Sequence, residues 1–298
     1  MMQTAALAME APDPRECPLC GAAGRARFRL STYEIQDCQH CGAQFNASFS
    51  GGGSDGQLFD REYFEVLHRE AFSSQFTDYR RDPSLPVFVR RLAQIEARMG
   101  VGRVLDVGPG LGTFLRVARD RGWRAEGVEL SAFAADFIRT QHGVPVFTGD
   151  VTTFAGAAAG TFDLVTFWDS LEHVARPVNA LEAAVRLLRP GGMVVIATDN
   201  FDCLVGDLAV MLYAISGGRV RYPVERVFID RNRTYFTDRG LAALVERLGV
   251  GVVYSEKMEY PLQKIRTNVI ERAALGAIYM LAAIVRRQAQ ITLFAVKG

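Results

Sequence analysis

Four cysteines stand in two pairs, Cys17-x2-Cys20 and Cys38-x2-Cys41, with seventeen residues between the pairs. Two such knuckles supply the tetrahedral thiolate set that a structural zinc ion takes, and the spacing is that of a zinc ribbon. Gly21 and Gly42 follow the second cysteine of each pair, where a tight turn needs positive φ. Disulfides fit poorly, because the opening residues MMQTAALAMEAPDPRE lack a basic start and a long apolar core and do not read as an export signal. His40, inside the second knuckle, is read as a solvated neighbour rather than a ligand, and Cys203, in FDCLVGDLAV, as a core residue.

A second group of residues addresses a different ligand. In VLDVGPGLGTFL, Val104 to Leu115, Gly108, Gly110 and Gly112 stand behind a short apolar run. A phosphate-binding loop needs Lys-Ser/Thr after its last glycine, but Thr113-Phe114 follows here. The dinucleotide fingerprint is G-x-G-x-x-G, and the last step here is one residue short of it. Asp106, two places before Gly108, suits a cationic group better than a pyrophosphate. Glu129 ends the next strand, where a carboxylate can accept from both hydroxyls of a ribose, and Asp150 follows a third, where it can accept from an exocyclic amine. One molecule with a cationic amino-acid end, a ribose and an adenine is S-adenosylmethionine. Leu130, Val151 and Trp168 complete the expected contact set. Asp106 as a cap on the turn and Asp150 as a helix N-cap are the structural alternatives.

These residues need a scaffold, and the chain has room for one. Its 298 residues allow one sizeable α/β domain and a small accessory module. A net charge of +1 gives no electrostatic case for nucleic acid or an overall membrane charge effect. The longest strongly apolar run, Ala273 to Val285, falls short of the ~20 residues a bilayer span needs. The expectation is a cytoplasmic protein. RVLDV, RAEGVEL, VPVFTGD, FDLVTFWD, MVVIATDN, GVVYSEKME and ITLFAVKG read as strands, with helices between most of them. Ser131 reads as an N-cap, and Gly191-Gly192 as a turn before the fifth strand. Alternating strand and helix predicts a doubly wound, mainly parallel seven-stranded sheet with ligands at the strands' carboxyl ends. The expected segments are a tail (1–14), the ribbon (15–46), a linker (47–57), a helical lid or connector (58–100) and the α/β domain (101–298).

The motifs D-x-G-x-G-x-G, GVELS, TGD, FDLVTFWDSLEHV and LRPGG, in that order, resemble the class I S-adenosylmethionine-dependent methyltransferases from about Val101 to Gly298. The resemblance implies a Rossmann-like sheet, methyl transfer, and an insertion at about 201–236 that covers the acceptor. With the ribbon in front, the chain is similar to bacterial methyltransferases of sugar and polysaccharide biosynthesis. Many relatives carry cysteine where Pro109 stands, and a histidine within the segment matching Pro223 to Thr237, where this chain has none. The resemblance places Glu172-His173 just past the active-site strand, where the histidine's frequent role is structural. A base is needed only for an acceptor that loses its proton early, so His173 and Asp169 are the candidate catalytic residues.

Arg219, Arg221, Arg226, Arg231 and Arg233 crowd the insertion of a nearly neutral chain. Either they form a solvated surface or they clamp an anionic acceptor, since guanidinium binds phosphate bidentately. Arg226, Arg231, Arg233 and Tyr235 are the expected acceptor contacts. The first reading is a small, phosphorylated or nucleotide-linked sugar. The alternatives are O-methylation of a quinone or polyketide-like molecule, and a ribbon adapter whose domain senses the cofactor without turnover. The apolar helix near Asn268 to Arg287 is expected to pack on the sheet, with membrane-surface contact as its second reading.

Overall fold

The structure is a computed structural model that describes residues 13–49, 64, 78–155, 159–260 and 269–298. The expected tail up to residue 12, most of the linker, and the lid up to residue 77 apart from Phe64 lie outside the described residues.

Among the described residues, one sheet has seven strands. They are β4 (Arg103–Val107), β5 (Arg124–Glu129), β6 (Val146–Thr148), β7 (Phe162–Trp168), β8 (Leu188–Asp199), β10 (Val250–Met258) and β11 (Gln290–Lys297). The order across it is β6-β5-β4-β7-β8-β11-β10. Neighbours from β6 to β8 are parallel, while β11 runs antiparallel to both β8 and β10. Strand order reverses between β4 and β7, and that switch opens a crevice at their carboxyl ends. The central strands are apolar on both faces, as a sheet covered by helices on both sides requires. Leu164 faces one layer and Val165 the other, as the two-residue period dictates.

One covering layer holds α1 (Leu85–Met99), α2 (Thr113–Asp120) and α3 (Ala132–Phe137). In α1, Leu85, Phe88, Leu92, Ile95 and Met99 recur at helical spacing and pack on Phe114, Val195 and Phe294. Gly100, at φ 74°, ends the helix. Ser131 caps α3, its hydroxyl accepting from the Ala134 N–H. After α4 (Val151–Phe154), the other layer holds α5 (Pro177–Leu187) and α8 (Asp238–Arg247), which pack Leu181, Leu187, Leu241 and Leu244 against Phe167 and Ile196. The expected turn at Gly191-Gly192 lies inside β8. Phe162 pairs with Leu188 but Leu164 with Met193, so the extra residues bulge, with Gly191 at φ 73°. Two further helices, α6 (Leu204–Ile215) and α7 (Tyr222–Val227), form the insertion, and α9 (Val269–Ile284) precedes β11.

The ribbon strands β1 (Gly24–Arg29), β2 (Glu34–Cys38) and β3 (Gln44–Asn46) form an antiparallel sheet that gains a fourth strand from the insertion, β9 (Thr234–Tyr235). Phe45 pairs with Thr234, and Gln44 with Tyr235. Phe28 and Ile35 pack with Val224, Phe228 and Tyr235 in one apolar cluster. Burying each large side chain there contributes roughly 1.5–3 kcal/mol. The ribbon is therefore joined to the insertion by a shared sheet and a shared core.

Candidate active site

The carboxyl ends of β4, β5, β7 and β8 open into a cavity of about 1040 Å3. Its floor is the glycine loop. Gly108, Gly110 and Gly112 have φ of 72°, 58° and 82°, a region side chains other than glycine's avoid. A Cβ on Gly108 would stand 2.7 Å from Ser170 Cβ, and one on Gly112 2.8 Å from Ile138. At Gly110, which lines the cavity, such an atom would meet nothing within 4 Å. The bare backbone there leaves room for a ligand to come close.

Glu129 reaches back to that loop. Its Oε2 accepts from the Gly110 N–H at 3.3 Å and its Oε1 from the Ser131 N–H at 2.9 Å. Burial pushes its carboxyl up to about 7, against the pull of those backbone N–H groups. The carboxylate keeps acceptor capacity for a ligand hydroxyl. Asp106 accepts from Thr166 Oγ1 at 2.7 Å, and burial carries its carboxyl up to about 8. Two desolvated carboxyls lining one cavity are relieved by a cation, so this half fits S-adenosylmethionine. Leu130, Asp150, Val151 and Trp168 line the same space. Asp150 also serves as the N-cap of α4, accepting from the Thr152 N–H at 2.7 Å. Trp168 is held by Phe114 and Phe88, ring centroids 5.1 and 5.5 Å away, and its indole N–H is buried with no partner among the described residues.

Past β7 the backbone turns sharply. Asp169 adopts φ 47°, unusual for a residue other than glycine, while its N–H donates to the Ala197 carbonyl at 2.9 Å. Its side chain lines the cavity, as does His173. The His173 Nδ1 donates to the Arg231 carbonyl at 3.1 Å, which leaves the ring lone pair on Nε2. Burial brings its pKa down to about 4, too low for an efficient base near neutrality.

Sequence reasoning missed Asp199, Asn200 and Tyr260, which line the same cavity. Asp199 ends β8 and accepts from Tyr260 Oη and, at 3.4 Å, from Asn232 Nδ2; burial holds its carboxyl above the usual range. The signal was present in IATDN, an acid closing a strand as Glu129 does. Tyr260 carried no comparable signal, since it follows the far strand β10. Arg226 and Arg231 line the cavity with Leu208, Leu212, Leu275 and Ile278.

Arg233 and Tyr235, expected on the acceptor, lie outside the cavity lining. Arg233 is 1% exposed, and its guanidinium donates to the carbonyls of Pro14 and Asn46, both at 2.7 Å, of Glu16 at 2.8 Å and of Asp13 at 3.3 Å. Its two terminal nitrogens are committed to the ribbon and the residues just before it. Tyr235, equally buried, donates to the Ile229 carbonyl at 2.8 Å. The ribbon also holds the loop before β9, through Tyr33 Oη on the Phe228 carbonyl and Asn46 Nδ2 on the Asp230 carbonyl at 2.6 Å.

The four ribbon sulfurs lie within 4.8 Å of one another, with Cys17 and Cys41 3.6 Å apart and Cys20 and Cys38 3.5 Å apart. A disulfide would bring two sulfurs to about 2.05 Å. A tetrahedron with Zn–S bonds of about 2.3 Å has edges near ~3.8 Å. The residues fit a zinc ion, and four thiolates leave it no open position for chemistry.

The profile of a methyltransferase domain matches residues 77–255, more than half of the chain. A ubiquinone biosynthesis O-methyltransferase of Cupriavidus pinatubonensis is 30% identical over 184 residues, 59% of this chain and 72% of that one. Another, from Pseudomonas aeruginosa strain UCBPP-PA14, is 29% identical over 148 residues, 47% of this chain and 64% of that one. The chain thus spans less than two thirds of some of the curated relatives it matches. In structure, it is similar to Haemonchus contortus phosphoethanolamine N-methyltransferase 2 in complex with S-adenosyl-L-methionine, with a TM-score of 0.58 at 17% identity over 86% of this chain and 62% of that one. At that identity the likeness is one of fold.

Proposed function

The chain belongs to the methyltransferase domain family, and from that premise we propose that it moves a methyl group from S-adenosylmethionine to a hydroxyl on a lipophilic, quinone-like acceptor. When bound, the cofactor supplies an activated methyl on a positively charged sulfur. The chain's own residues seat and align the reactants, and alignment alone can supply much of the rate. Asp106 answers the cationic end, Glu129 the ribose and Asp150 the adenine amine. Asp199, with its raised carboxyl, is suited to take the acceptor's proton, and the Tyr260 hydroxyl orients it. His173 acts as a positioning residue, holding the loop that carries Arg231 into the cavity.

The observation that carries the acceptor class is the wall made by Leu208 and Leu212 of α6 with Leu275 and Ile278 of α9. A nucleotide-linked sugar would leave polar groups unpaired along it, whereas a phenolic ring with an apolar arm would not. The O-methyltransferase relatives point the same way. This reading displaces the glycan-related acceptor expected from the sequence. Offered methyl-labelled cofactor with a prenylated catechol or a nucleotide-linked sugar, the protein should label the catechol oxygen. Label in the sugar alone would reverse the assignment.

A further inference from the structure

The large apolar side chains that face solvent are concentrated on one pair of helices. Met211, Ile215, Val220 and Tyr222 mark α6 and the turn after it, while Val269, Met280, Leu281, Ile284 and Val285 mark α9. Their exposure is high, 77% at Ile215 and 78% at Ile284. The helices pack on each other, and α6 begins where α9 ends: the Leu204 N–H donates to the Arg287 carbonyl, whose side chain pairs with Asp202 and Asp207. Inward, α9 presents Leu275 and Ile278 to the cavity; outward, it presents Met280 and Ile284. A helix apolar all round belongs in a core or against lipid. At 16 residues it is about 24 Å long, short of a bilayer span, and no helix among the described residues is long and apolar enough to cross a membrane. Contact with lipid would therefore be in the plane of the surface.

The charges around this face select its partner. Exposed Arg219 and Arg221 bracket Val220, Arg226 lies one turn beyond Tyr222, and Arg286 follows Val285. Of the nearby acids, Asp207 is paired with Arg287, and Glu225 accepts from the backbone and hydroxyl of Ser31. The rim is thus rich in cations. That complements anionic headgroups and disfavours a second copy, since a two-fold contact sets each copy's patch against the same patch. Leu212 and Tyr222 belong both to this face and to the cavity lining, so the cavity mouth is continuous with it.

We propose that the α6–α9 face docks on an anionic lipid bilayer, with Ile215, Met280 and Ile284 in the headgroup–acyl boundary and the arginines among the headgroups. The proposal stands apart from methyl transfer, and its test reads none. The full chain is floated with vesicles of phosphatidylcholine alone and of phosphatidylcholine with phosphatidylglycerol. It should float with the anionic vesicles and be released by salt. Arg219→Gln and Arg221→Gln should each weaken partitioning by about fivefold. The paired substitution Ile215→Gln with Ile284→Gln should abolish flotation while leaving S-adenosylhomocysteine binding unchanged, as neither position lines the cavity. If that pair does not fold, the arginine variants decide. Absence from both vesicle types, flotation indifferent to the arginines, or a dimer in solution that Ile284→Gln dissociates would each overturn the proposal, the last by assigning the face to a second copy.

Discussion

Glu129→Ala removes an acceptor that two backbone N–H groups share with the proposed ribose. Hydrogen bonds to a charged group contribute about 1.5–3 kcal/mol, so affinity for S-adenosylhomocysteine should fall about ten- to a hundredfold. Because burial places this carboxyl near 7, the native protein should bind the ligand more tightly at pH 8 than at pH 6. Calorimetry showing the same affinity at both pH values would remove Glu129 from the ribose. A second contrast separates two arginines. Arg231→Ala should raise the acceptor KM with little change in melting temperature. Arg233→Ala should destabilise the fold by on the order of several kcal/mol, and so lower the melting temperature, because four carbonyls lose a charged donor. The cluster of arginines was legible in the sequence, but their division of labour was not. Whether a guanidinium is available depends on partners such as Pro14, far away along the chain, that no local pattern reveals.

Among the elements, the legible ones were those whose signals are local. The glycine loop sits between a strand and a helix adjacent in sequence, so its motif and its geometry coincide. Asp106 and Glu129 follow for the same reason, as acids at the ends of apolar strands. Gly191-Gly192 was read as a turn and is a bulge, because β7 supplies the pairing partner that keeps the strand continuous. The strand β9 gave no pattern at all: two residues define no period, and its partner Phe45 lies in the ribbon. Proline at Tyr235 would remove the backbone N–H that faces Gln44 across the ladder. Tyr235→Pro should therefore increase hydrogen exchange in β2 and β3 while the amides of β4 and β7 stay protected. Equal loosening of both sheets would show that the ribbon is no separate cooperative unit.

For the molecule as a whole, desolvated acids inside and outside the cavity set a pH dependence. Glu129 and Glu259 are pushed up to about 7 by burial, and Asp106 to about 8. Between the ordinary carboxylate range and those values, the folded protein holds protons that the unfolded chain has released, so stability falls as pH rises. His173, brought down to about 4, works in the opposite direction, but only from there up to its ordinary value near 6.5. From about pH 6.5 to 8.5 the histidine no longer opposes the three acids, which outweigh the contrary effect of Cys38, a thiol brought down to about 7, and the melting temperature of the ligand-free protein should decline. Asp106→Asn should flatten that decline and weaken cofactor binding, stability gained where function is lost. A melting temperature level across the window would contradict the burial of these acids.

The sheet shared by the ribbon and β9 has a further meaning for a cell under oxidative stress. Thiolates are the groups that peroxides attack first, and here they belong to the ribbon that braces, through Asn46, the loop from which Arg231 reaches the cavity. The glycine loop and Glu129 stand on β4 and β5, in the other sheet. Under the proposed function, oxidation of Cys20 or Cys41, the two exposed cysteines of the ribbon, would thus disturb acceptor binding before it loosens the methyl donor, turning the ribbon into a point where redox state bears on substrate choice.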